Sequence, residues 1–273
     1  MASSSTGIKR AHSPIDLGST DEDEPPQPAS KKKVLSMTLP QGSGTLRGVT
    51  VPPGWSVHGG SLLVRAFGSP SPSAKIAGFD FDGCARSVLE PSNNALHSLL
   101  PRGLLRSSCN VVTSGGVCSG LADTPLGGND PKAWKMQFAH VPQVLASLHA
   151  SGSAIVIVTN ESMDRFKKPE AVRSAILKKT GRLEGFAAAA NVPILALCAT
   201  AKDAFRKPGT ACWDFVVQHA NKGVQVDKQA SFFVGDAAGR PGDHSDSDRV
   251  FANAAGLPFH DEKAFFTRLN PPK

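Results

Sequence analysis

The chain has 273 residues, 40% of them hydrophobic, and a formal charge of +7. That is enough apolar material for a sizeable core in one large or two small domains, yet no apolar run reaches the length of a membrane span, and the Ser-rich, polar N-terminus lacks the apolar centre of a secretory signal. Five cysteines, an odd number without a CxxC pair, argue against a zinc site and a disulfide framework and for reduced thiols inside a cell.

Residues 1 to about 34 are rich in Ser, Pro and charge and almost free of large apolar side chains, so no core can form there. We expect residues 1–51 to be a disordered polar tail and residues 52–273 to form one folded domain. The tail's basic clusters, Lys9-Arg10 and Lys31-Lys32-Lys33, read either as a two-part nuclear import signal or as a solvated charge run. Within residues 1–33 five basic residues balance five acidic ones, so the whole positive surplus falls on the folded part, which suits a polyanionic partner such as nucleic acid.

From Pro52 onward, Ser61–Arg65 reads as a first strand and Ala74–Phe79 as a second. The second runs into Asp80-Phe81-Asp82-Gly83: in extended backbone the two carboxylates project to one side and Phe81 to the other, and Gly83 permits a sharp turn. Residues 85–130, rich in Gly, Ser and Leu and without periodicity, read as a long inserted loop. A helix is expected over Phe138–Ala150, with Val141, Val144, Leu145 and Leu148 on one face, then a strand over Ala154–Val158, a helix over Glu170–Lys179, and strands at Val192–Cys198 and Phe232–Gly235. The stretch Phe186–Ala201, interrupted by Asn191 and Pro193, reads as a turn followed by a buried strand. Strands alternating with helices predict an α/β fold: a parallel sheet with helices on both faces.

Each principal strand leads into a polar group that phosphate chemistry can use. These are Asp80 and Asp82, then Thr159-Asn160, then Arg206-Lys207-Pro208, then Asp236. Ligand crevices of open parallel sheets lie at the strands' carboxyl ends, so the four groups are expected to converge. By charge and reach, Asp80 is suited to attack phosphorus and Asp82 to exchange a proton with the leaving oxygen and then with water. Asp80, Asp236 and the backbone carbonyl of Asp82 form an all-oxygen set for Mg²⁺, Thr159 is a donor for a phosphoryl oxygen, and Lys207 supplies fixed positive charge. Each also has an ordinary alternative: Thr159-Asn160 or Asp236 as a helix cap, Lys207 as a turn residue, Asp248-Arg249 as a surface ion pair.

With these motifs in this order the sequence resembles the haloacid dehalogenase superfamily and, within it, the phosphatase domain of the polynucleotide kinase 3′-phosphatase family. The resemblance covers about residues 52–268 and rests on Gly54-Trp55, AKIAGFDFDG (74–83), Lys132-Ala-Trp134, RKP (206–208) with Trp213-Asp214, FFVGDAAGRPGD (232–243) and SDRVFANAAGLPF (247–259). It implies a Rossmann-like sheet without a large cap domain and Mg²⁺-dependent removal of 3′-phosphates at DNA nicks, gaps and single-strand breaks. Asp80 would be the nucleophile, Asp82 the acid/base, Thr159 and Lys207 phosphate ligands and Asp236 a metal ligand. Asn160 and Asp248 would support them, and Arg206 and Arg240 are candidates for holding DNA phosphates.

The chain departs from the family at Cys84 (Thr in the family), at Glu161 (Gln in the family, so a negative charge enters a phosphate site), in the 85–130 loop, and at Ser162–Lys168, which replace a glycine-rich stretch. Nothing matches Gly-x4-Gly-Lys-Ser/Thr, so no kinase activity is expected. Nuclear or organellar DNA and repair proteins docking on the tail are the expected surroundings; a phosphatase for a small phosphoester and an inactive DNA-end-binding scaffold are the alternatives.

Overall fold

The computed structural model describes residues 37, 39–83, 121–123 and 130–269. The chain divides into Met1–Lys33, which lies outside the described residues, and Val34–Lys273. Strands lie ahead of the expected domain boundary at residue 52. Strands β1 (Thr45–Leu46) and β2 (Val49–Thr50) pair across Arg47 and Gly48, both at positive φ (51° and 78°) as a primed two-residue turn requires. Leu46, Val49 and Val51 are buried in the main core.

The remaining elements are β3 (Ser56–His58), β4 (Leu62–Phe67), β5 (Ile76–Phe79), β6 (Asp82–Gly83), β7 (Ala122–Asp123), β8 (Lys135–Met136), α1 (Val141–Ala150), β9 (Ala154–Asn160), α2 (Pro169–Ala190), β10 (Ile194–Ala199) and α3 (Ala211–Phe215), which a π-helical turn, Val216–Ala220, continues. Then come β11 (Phe232–Gly235), α4 (Ser247–Ala255), β12 (Phe259–Asp261) and α5 (Glu262–Leu269).

The main sheet has the order β12-β11-β5-β9-β10-β4-β3. From β12 to β10 neighbouring strands are parallel, whereas β4 is antiparallel to β10 and β3 to β4, so the sheet is mixed rather than wholly parallel. The reason lies in the link from β4 to β5: residues 68–75 contain no helix, and a parallel return needs a crossover of about a dozen residues or more. Along each central strand side chains alternate between two cores. Ile155 and Ile157 meet α1, α2 and α5 on one face; Val156 and Val158 meet α3 and α4 on the other.

Helix α2 runs eleven residues beyond Lys179, where the sequence suggested an end, and Phe186–Ala190, expected as a chain turn before a strand, is the helix's last turn; Asn191, at φ 52°, caps it. Gly181 and Gly185 look like breakers but serve close packing, since a Cβ on them would come within 2.5 Å of Pro131 Cβ and 2.7 Å of Trp134 Nε1. Strand β9 likewise continues through Thr159 and Asn160, paired with Cys198 and Ala199.

Of the expected 85–130 loop, residues 121–123 are structured: β7 pairs parallel with β6 and antiparallel with β8, with Leu121 and Ala122 buried. Cys84, residues 85–120 and 124–129, and with them the expectation about a cap, lie outside the described residues. No described helix is long and apolar enough to cross a membrane.

Strand order reverses at β5: the chain adds β9 and β10 on one side of it, then β11 and β12 on the other. Such a switch point opens a crevice at the carboxyl end of the strand, which is where Asp80 and Asp82 stand.

Candidate active site

Asp80, Asp82, Thr159, Asn160, Arg206, Lys207, Asp236 and Asp248 line a single cavity of about 360 Å³, together with His244, Ser245 and Ser247. The four strand-end groups therefore converge as the sequence reading expected. The Asp80 amide donates to the Val234 carbonyl at 2.8 Å, extending the β5–β11 pairing by one residue. Phe81 turns to the opposite side, buried edge-on against Phe186 at 5.4 Å. Hence the two carboxylates face the cavity while the intervening ring anchors the turn.

Lys207 is the hub. Its ammonium, 1% exposed, touches Asp80 Oδ1 at 2.5 Å, the Val158 carbonyl at 2.7 Å and Asp248 Oδ1 at 2.8 Å. Asn160 fixes its backbone from both sides, accepting from the Lys207 amide and donating to the Lys207 carbonyl, each at 3.0 Å. Burial alone would lower the lysine's pKa; the Asp248 and Asp80 carboxylates outweigh burial and raise it, so this ammonium stays charged. Asp248 is no surface ion pair. It is 2% exposed, accepts from the Ala237 amide at 3.1 Å, and is pushed up to about 6 by burial against the opposing pull of Lys207. Arg249 instead faces the solvent-exposed Asp246 at 3.7 Å.

Asp80, Asp236 and Asp248 each bring a carboxylate oxygen within 4.8 Å of the others, all three buried. Burial first, then Asp80, Asp248 and Glu262, push Asp236 up to about 9, with Lys207 opposing. A buried set of hard oxygen donors with surplus negative charge fits a divalent cation such as Mg²⁺. Asp248 already uses both carboxylate oxygens on Lys207 and Ala237, so Asp80 and Asp236 are the residues suited to direct ligation.

One residue of the site escaped the sequence reading. Lys179, 1% exposed in the middle of α2, places its ammonium on Asp82 Oδ2, 2.9 Å from Thr159 Oγ1 and 3.6 Å from Glu161 Oε2. Thr159 itself donates to Asp82 Oδ2 at 3.2 Å. The negative charge that Glu161 brings is thus faced by Lys179 and, at 3.9 Å, by Lys178. Burial pulls the Lys179 ammonium down to about 8, against Cys198 and Asp80.

The two candidate DNA-binding arginines part company. Arg206 lines the cavity, and its buried Nη1 has no hydrogen-bond partner among the described residues. Arg240 does not line it: the guanidinium is engaged by Asp243 at 2.9 Å, by Asp261, by Glu262 at 3.3 Å and by the Asp236 carbonyl at 2.9 Å. It ties the loop after β11 to the start of α5.

A mostly parallel sheet with two aspartates at its switch point, a threonine on the next strand, a lysine from the following loop and buried acids after β11 defines a haloacid-dehalogenase-type phosphotransfer domain. More narrowly, the chain belongs to the polynucleotide kinase 3 phosphatase family, whose model matches residues 122–266. It is 33% identical over 225 residues to the polynucleotide 3′-phosphatase ZDP of Arabidopsis thaliana, covering 78% of this chain and 27% of that protein. It is 27% identical over 214 residues to the bifunctional polynucleotide phosphatase/kinase of Schizosaccharomyces pombe, covering 78% of this chain and 42% of that protein. The chain thus spans well under half the length of these relatives. A solved HAD-like phosphatase structure from Mesorhizobium loti aligns with a TM-score of 0.45 at 16% identity, over 72% of this chain and 77% of that one.

Proposed function

We propose that this chain hydrolyses 3′-phosphates at DNA strand breaks, leaving 3′-hydroxyl ends. The observation that carries the proposal is the convergence of Asp80, Asp82, Thr159 and Lys207 on one cavity in a chain of this family. Asp80 attacks phosphorus in line; the bond from phosphorus to the 3′-oxygen breaks with its electron pair on oxygen, and Asp82 delivers a proton to that oxygen. Asp82, now a carboxylate, takes a proton from the water that attacks the aspartyl-phosphate, releasing inorganic phosphate and regenerating Asp80. Lys207, pinned by Asp248 and Asn160, stands beside the reacting oxygens without reorganising, and Thr159 donates to one of them. A Mg²⁺ ion held by Asp80 and Asp236 would offset the mutual repulsion of nucleophile and phosphate dianion.

The positive surplus outside residues 1–33 supports a polyanionic substrate. A role in strand-break repair, in the nucleus or another DNA-containing compartment, follows from the same reading, as does the use of the tail for import and for docking repair proteins. The test is release of inorganic phosphate from a nicked duplex carrying a 3′-phosphate, with Mg²⁺ and with EDTA, beside a small phosphomonoester. Metal-dependent release from DNA far above the small ester, abolished in Asp80→Asn, is expected; release from the small ester alone would replace this proposal with a general phosphatase.

A further inference from the structure

We infer that Lys179 is a positioning residue for the general acid: it holds the Asp82 carboxylate by one oxygen so that the other presents the proton to the leaving 3′-oxygen. The inference rests on the reaction proposed above and adds to it a residue in a helix that no strand-end motif includes.

The geometry is a closed triangle. Lys179 contacts Asp82 Oδ2 and Thr159 Oγ1, and Thr159 donates to the same Oδ2. Glu161 steadies the ammonium from a third direction and the Phe81 ring lies 5.4 Å from it. All partners of Asp82 in this triangle sit on one of its two oxygens, while the residue itself lines the cavity.

The threonine hydroxyl has a single hydrogen. Once Thr159 turns it toward a phosphoryl oxygen, as its proposed role demands, Asp82 Oδ2 keeps only Lys179 from this triangle. The lysine therefore keeps its hold on that oxygen when substrate is bound.

Stability does not explain the choice. Lys179 falls within the buried stripe Val172, Ile176, Leu183 and Phe186 of α2, where an apolar side chain would pack without desolvating a charge. Replacing a whole buried ion pair by apolar residues is often neutral or stabilising, whereas removing one partner alone is costly, so the Lys179–Asp82 pair taken as a unit is better explained by what it orients.

Leaving-group dependence separates positioning from mere structure. A 3′-alkoxide departs only when protonated, whereas p-nitrophenolate leaves unaided, and kcat/KM covers the steps up to that departure. For Lys179→Met we expect kcat/KM on a 3′-phosphorylated oligonucleotide to fall about 100-fold, in the range of general-acid effects, and on p-nitrophenyl phosphate at least tenfold less. If thermal melting shows that Lys179→Met does not fold, the same ratio is read on Lys179→Gln. Equal losses on both substrates, or no loss on the oligonucleotide, would overturn the inference. A wild-type protein active on the aryl ester but not on the oligonucleotide would instead overturn the proposed function.

Discussion

Gly235 and Asp248 share one space. A Cβ on Gly235 would stand 2.6 Å from Asp248 Cγ, so the last residue of β11 must be glycine for the buried carboxylate to reach both the Ala237 amide and Lys207. Gly235→Ala should displace Asp248 and, through it, the Lys207 ammonium that Asp80 depends on. A displacement of about 1 Å in a reacting group can cost about 100-fold, so we expect a loss of that order in kcat with a cooperative melting transition retained. Wild-type kcat in a folded Gly235→Ala protein would show that Asp248 does not set the lysine.

Two adjacent charges on α4 should behave very differently. Asp248→Ala leaves the Lys207 ammonium buried against fewer carboxylates, a change that typically costs about 3–5 kcal/mol. Arg249→Ala breaks an exposed contact with Asp246 and should cost about 0–1 kcal/mol. Urea unfolding of the two variants measures the contrast; similar losses would mean that the Lys207–Asp248 pair contributes no more than a surface pair.

What the sequence revealed and concealed follows from this geometry. Asp80, Thr159 and Asp236 were legible because each closes an apolar run, and in a parallel sheet a strand end is a place in the crevice. Lys179 was hidden because the expected helix ends on it, and a lysine at a helix C-terminus is ordinary. In the full α2 the lysine interrupts an apolar stripe at helical spacing, and that interruption was the available signal. The β1–β2 hairpin was missed because two-residue strands carry no periodicity, although Arg47-Gly48 between Leu46 and Val49 holds its turn. The antiparallel β4 was concealed because strand direction is written in the connection rather than in the strand.

Asp236 gives the metal-free protein a pH dependence of unusual sign. Burial and the neighbouring carboxylates raise its pKa from 3.8 to about 9, so between these values the folded protein holds a proton that the unfolded chain has released. Its contribution to stability is complete at the acid end of this window and lost as pH rises through it. Asp236→Asn has no such loss. In EDTA, the melting temperature of Asp236→Asn minus that of the wild type should grow steadily from about pH 5 to about pH 9, the window of that shift. Adding Mg²⁺ near the top of this window should raise the wild-type melting temperature and leave the variant's unchanged. A difference between the two proteins that does not vary with pH would show that Asp236 is not held protonated.

Arg206 and Arg240 look alike in the sequence, each a basic residue beside a phosphate-handling motif, but the structure gives them opposite work. Arg206 faces the cavity with a buried nitrogen that has no partner among the described residues. Removing it relieves an unsatisfied donor while deleting positive charge beside the substrate. Arg206→Ala should therefore leave the melting temperature close to wild type and raise KM for a 3′-phosphorylated oligonucleotide, by about tenfold if one charge-assisted hydrogen bond of about 1.5 kcal/mol is lost. Arg240 joins Asp243, Asp261 and Glu262 to the Asp236 carbonyl, and Glu262 is fully buried. Arg240→Ala takes away a cation from this acidic cluster and loosens the backbone that aims Asp236. With the guanidinium itself part-exposed and only Glu262 fully buried, it should lose about 1–3 kcal/mol of stability and lower kcat rather than raise KM. Melting temperature and the split between kcat and KM decide the matter together: a raised KM with unaltered stability in Arg240→Ala would return that residue to the substrate.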